Sequence, residues 1–133
     1  MPLKIFVTLN AFIFVILLPV LEIGPSHVFN PDWPGHARLH EVWQLISNAV
    51  FALFALWLVW WQSKPLYAAF VSLVLSGSFL VAHFVRDGYG GTMKHSDGSE
   101  MLLYGVNPAF GLLLVLSIGL AFFGVRHAQS HRP

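Results

Sequence analysis

Apolar residues run through this chain in long unbroken stretches, without the period-two alternation of a half-buried strand. Four stretches, about residues 5–21, 40–61, 66–85 and 102–123, approach or exceed the ~20 helical residues needed to cross a bilayer core of ~30 Å. A barrel would need at least ~8 alternating strands, so helices are the predicted element throughout. The breaks differ in kind. Residues 62–65 make a tight hairpin, where Lys64 and Pro65 stop one helix and start the next. Residues 22–39 and 86–101 are longer and polar; the first carries Pro25, Pro31 and Pro34, the second Gly88, Gly90, Gly91 and Gly98. The pattern predicts one all-α domain over residues 1–133, an integral membrane antiparallel four-helix bundle with both long loops at one end. The first stretch also begins like a signal peptide, with Lys4 as its charged head. No small-residue cleavage site follows Leu21, so it is read as a span.

Polar residues inside these stretches recur at helical spacing. His36, His40, Gln44 and Asn48 stand four apart, with Ser47 beside them; Ser72 and Ser76 lead to His83 and Asp87. Glu100, Tyr104, Asn107 and Pro108 fall on one face of the fourth stretch, and the first offers Thr8 or Asn10, with Glu22 at its end. Residues four apart share a helical face, so each span is predicted to carry one polar stripe. An unsatisfied polar group in hydrocarbon costs several kcal/mol, which turns the stripes toward one another. The expected interior is polar and wettest at the long-loop end. Asn107-Pro108 reads as a mid-span kink. For Ser47, Asn48, Ser72, Ser76 and Gly77 the simpler reading is helix-to-helix hydrogen bonding and close approach.

Composition narrows the class. The chain is 56% hydrophobic and 10% charged, with mean hydropathy +0.69 and net charge +1, which excludes disorder and nucleic-acid binding. It has no cysteine, so disulfides, iron–sulfur clusters and thiolate catalysis are absent. The hairpin side holds Lys4, Lys64, Arg126 and Arg132 with no acid; the long-loop side holds Arg38, Arg86 and Lys94. That bias predicts cytoplasmic termini in a plasma or inner membrane. All six acids, Glu22, Asp32, Glu41, Asp87, Asp97 and Glu100, lie on the long-loop side. So do five of the seven histidines, leaving His127 and His131 on the opposite tail.

Ionisable groups at a membrane edge are functional candidates by default. His36-x-x-x-His40 has the spacing that lets two imidazoles reach one ion, and His83 and Asp87 repeat it on the next span. These four are the expected ligands of a divalent transition metal, Zn, Fe, Mn or Cu. Glu22, Glu41 and Glu100 are the expected catalytic or supporting carboxylates. A metal-free acid–base pair and a plain polar network stay open, and haem on His40 and His83 is the least favoured option. His27, Asn30, Trp33 and Arg38 in the proline-stiffened loop, with Gln44, Asn48, Tyr104 and Asn107, are the expected ligand contacts.

Residues 27–40 read His-Val-Phe-Asn-Pro-Asp-Trp-Pro-Gly-His-Ala-Arg-Leu-His. This stretch resembles the loop motif His-Val-Phe-Asn-Pro-x-Trp-Pro-x-His-Ala-x-x-His of a family of small multi-span membrane proteins from fungi and bacteria. Gly35 stands where that family usually has a second proline. The resemblance covers these residues alone, implies common descent and four helices, and carries over no catalytic role. Three functions follow from the residues. The first is a membrane enzyme acting on a lipophilic or small substrate at the outer face. The second is a non-enzymatic binding or transport protein, and the third an accessory subunit or homo-oligomer whose stripes serve packing.

Overall fold

The structure is a computed structural model that describes residues 1–130; Arg132 and His131 lie outside the described residues. Four helices account for the apolar stretches: α1 (Pro2–Glu22), α2 (Gly35–Trp60), α3 (Pro65–Phe84) and α4 (Pro108–Ser130). All four are long and apolar enough to cross a membrane. A short 3-10 turn, Arg86–Tyr89, follows α3. Pro19 has no N–H to give to Val15. The turn before it, Ile13–Leu17, widens to π geometry, with the Leu18 N–H reaching the Ile13 carbonyl.

The core consists of two apolar layers that also reveal the helix directions. One joins Leu3 and Val7 of α1 to Val59 near the end of α2, Ala68 near the start of α3, and Leu120 of α4. The other joins Phe14 to Ala52, Leu75 and Leu113. Numbers rise from the first layer to the second in α1 and α3 and fall in α2 and α4, so the helices alternate up and down. Between the layers lie the buried polar residues Asn10, Ser72, Ser76 and Ser117. Ser117 Oγ donates to Ser76 Oγ at 2.9 Å, and Ser76 Oγ to the Ser72 carbonyl at 3.1 Å. The Ser117–Ser76 bond joins α4 to α3, whereas the Ser72 hydroxyl has no hydrogen-bond partner among the described residues. Neither amide atom of Asn10 has a hydrogen-bond partner among the described residues. Thr8 Oγ1 donates to the Lys4 carbonyl and accepts from Trp60 Nε1, 3.1 Å away.

Two helix starts differ from the sequence pattern. α2 begins directly after Pro34, at Gly35, so His36 is helical. α4 begins at Pro108, six residues later than the apolar run. Asn107-Pro108 is therefore a helix start and not a kink. Asn107 Oδ1 accepts the Ala109 N–H at 3.0 Å, and a proline at the first helical position has no N–H to leave unsatisfied. Glu100 and Tyr104 consequently lie in the loop. Tyr104 and Gly105 both have positive φ in a tight turn closed by Leu103 and Val106, and Tyr104 is fully exposed.

Candidate functional site

At the long-loop end the helices part around a cavity of about 720 Å³ lined by all four helices and both loops. Buried Phe14, Leu45, Leu75 and Leu113 form its floor. Gln44, Ser47, Asn48 and Ser78 form a polar wall, and Glu22, His27, Trp33, Glu41, Lys94 and His95 lie at the charged end.

The central contact joins the end of α1 to the first loop. His27 Nδ1 lies 3.0 Å from Glu22 Oε2 and 3.0 Å from Ser26 Oγ. The loop turns back sharply to achieve this: the Val28 N–H reaches the Glu22 carbonyl at 3.1 Å. Trp33 meets the His27 ring edge-on at 5.4 Å, and His95 meets it at 5.5 Å. Burial, and then the nearby His95, push the His27 pKa below the ordinary imidazole value. The Nδ1 contact with Glu22 is a hydrogen bond in which the imidazole and the carboxyl share a proton. Nε2, the other ring nitrogen, has no hydrogen-bond partner among the described residues.

The two loops are pinned over the cavity by Asn30, which is 2% exposed. Its Nδ2 donates to the Ser26 carbonyl at 3.0 Å and to Ser96 Oγ at 3.1 Å, while Oδ1 accepts the Asp32 N–H at 2.9 Å. The second loop is braced by the Asp97–Ser99 turn. The hydroxyl and backbone N–H of Ser99 both donate to Asp97 Oδ1 and hold that carboxyl below its usual range. Arg38 donates Nε to the Trp33 carbonyl at 3.2 Å and so secures this loop.

The expected metal set is not assembled. His36 and His40 are exposed, their Nε2 atoms 3.0 Å apart, with His40 beside Trp43. A four-residue step exceeds the 3.6-residue turn, so three such steps rotate the stripe by about 120°. That drift carries His36 away from the face bearing Asn48. His83 is stacked between Phe79 and Phe110, and its Nε2 faces Arg86. Asp87 does not sit one turn below His83, because α3 ends at Phe84 and the chain turns away; its side chain is almost fully exposed. Glu100 accepts from Asn107 Nδ2 at 3.3 Å and lies apart from the cavity lining. Among the described residues no group of three or more His, Asp or Glu is arranged to hold a metal ion. His36 and His40 are the two nitrogen donors that such an ion would find already facing each other.

The structure thus brings Glu22, His27, Trp33, Glu41, Gln44 and Asn48 into one cavity and leaves His36, His40, His83, Asp87, Glu100, Tyr104 and Asn107 outside it. Sequence reasoning missed Lys94, His95, Ser96 and Ser78. His95-Ser96-Asp97-Gly98 carries an ordinary turn signal, which marks where the chain reverses but not which loop it docks against. No family model, curated protein or solved structure matches the chain.

Proposed function

We propose that the chain crosses a plasma or inner membrane four times with cytoplasmic termini and catalyses proton transfer on a lipophilic or small substrate at the long-loop face. The observation that carries this reading is the Glu22–His27 contact at the head of a largely apolar cavity. A carboxylate on one imidazole nitrogen fixes the tautomer and stabilises the imidazolium that forms when the other nitrogen accepts a proton. Glu41, in the same cavity, is the second group able to give or take a proton. The apolar floor excludes water, and the Trp33 loop covers the charged end. The likeness of residues 27–40 to the fungal and bacterial family assigns no activity. His36, His40, His83 and Asp87 do not meet at the cavity, and no three donors among the described residues are arranged around one ion, so the acid–base version is preferred.

Purified protein in lipid nanodiscs, incubated with membrane lipid extract in D2O and separately in H2-18O, tests the proposal without a known substrate. Transfer of a carbon-bound proton leaves deuterium in one lipid class, and water activated by the same base to cleave an ester, with the alcohol leaving protonated, leaves oxygen-18 in the acid; both are read by mass spectrometry. Glu22→Gln and His27→Gln should each reduce that labelling by about 10²–10⁴-fold. Labelling that survives both substitutions, or none with the wild-type protein, overturns the reading.

A further inference from the structure

The wall of the cavity changes chemistry with depth. Glu22 and Glu41 mark its charged end. One to two turns further along α2 come Gln44, Ser47 and Asn48, and beyond them Phe51. From Glu41 to Phe51 the helix rises about 15 Å, half of a ~30 Å hydrocarbon core. The side chains of Gln44, Ser47 and Asn48 make no hydrogen bond among the described residues, although all three line the cavity. A purely hydrocarbon occupant would leave these groups unsatisfied at a depth where water is scarce.

The cavity is also open on one side. Along the helices its exposed lining residues are Gln44, Phe51, Val74, Ser78 and Ala82 of α2 and α3, with Ala109 at the start of α4. Those contributed by the middle of α1 and α4, Phe14 and Leu113, are buried. The space is therefore a groove between α2 and α3 that faces outward from the bundle. Read as a membrane protein, the chain opens this groove to one leaflet. Its volume of about 720 Å³ falls in the ~300–1,000 Å³ range of sites for one small organic molecule.

We infer that the groove holds one single-chain lipid ester of the monoacylglycerol type. Its head lies between the two loops, its ester oxygens bond Gln44, Ser47 and Asn48, and its acyl chain lies over Phe51 and Val74. The wall runs from ionisable groups through amide and hydroxyl to hydrocarbon, and such a lipid runs from a neutral diol, able to hydrogen-bond those ionisable groups, through an ester to an acyl chain. This names the substrate class of the proton-transfer site and rests on that reading.

The test measures saturable binding of 1-monooleoylglycerol and of oleyl alcohol, which has a head but no oxygen below it, by native mass spectrometry of the full chain. One monooleoylglycerol should bind per chain. Asn48→Leu and Gln44→Leu should each weaken it about fivefold, the effect of one hydrogen bond, and leave oleyl alcohol unchanged. Val74→Trp, at the exposed rim, should exclude both. Binding of both lipids that is indifferent to Asn48→Leu, or that never saturates, overturns the inference. Asn48-dependent binding without Glu22-dependent labelling removes the proton-transfer reading and keeps the groove. Glu22-dependent labelling of a molecule with no ester keeps the reaction and removes the groove's occupant.

Discussion

The two ends of the bundle are packed by opposite rules. At the hairpin end Val7, Ala55, Val59, Ala68 and Leu120 are completely buried, and small residues let the helices close on one another. Gly119 has no side chain because the Phe6 ring occupies its place. At the loop end the helices bear Phe14, Leu45, Leu75 and Leu113 around a cavity of about 720 Å³, and the covering loops are joined by polar bonds. Small residues make a dry seam where the helices meet a short hairpin. Large and polar ones leave a usable space where long loops can cover it.

The largest expected effect sharpens this contrast directly. Leu120→Ala removes packing that nothing can refill and should cost about 2–5 kcal/mol of stability. Leu45→Ala, beside an existing cavity, should cost less than half as much by the same measure. Equal losses in denaturant titrations of detergent-solubilised protein would mean that the two ends are not packed differently. Gly119→Ala comes next. The new methyl collides with the Phe6 ring, and overpacking of this kind costs about 1–3 kcal/mol. Gly111→Ala, whose methyl would meet Val106 at an ordinary 3.7 Å, should be neutral or stabilising by up to ~1 kcal/mol from helix propensity. In a Phe6→Ala background the clash is gone, so Gly119→Ala should add little to the loss that Phe6→Ala already causes.

The loop end should respond locally. Asn30→Ala breaks the join between the loops at a cost of about 1–2 kcal/mol. Hydrogen exchange of residues 92–99 should speed up while amides near Val59 and Leu120 keep their protection. Faster exchange at both ends would show that the loops support the whole bundle. The smallest effect is that of pH. The unfolded chain protonates His27 near pH ~6.5, while burial and His95 hold the folded group below that value. Its contribution to stability is fully present above the unfolded value and is lost as pH falls from there through the lowered folded value. His27→Gln should flatten this part of the stability–pH curve and leave the Leu120→Ala penalty unchanged.

Much of this architecture was legible in the residues. The four apolar stretches became four helices, and Lys64-Pro65 marked the hairpin. The fourth start was misplaced because residues 101–106 are apolar enough to extend a span, whereas Asn107-Pro108 supplies a helix start that hydropathy does not register. The site was half legible. Glu22, Glu41, Gln44 and Asn48 were found as polar residues within or at the ends of apolar runs. The metal set was read from steps of four alone, which overlooks both helix drift and the turn after Phe84 that detaches Asp87 from His83.

What the sequence determined by itself is what local rules control: helix type, length, order and the gathering of every acid at one end. Those follow from hydropathy over twenty or so residues and from where prolines and glycines stand. What the tertiary structure alone decided is which polar groups meet. The partners Asn30 and Ser96 are 66 residues apart, and no local rule relates them. The His27–Glu22 contact needs the first loop to fold back over α1. Pairings of that kind depend on the relative rotation of packed helices and on how two loops share one surface, and both are set by burial across the whole bundle.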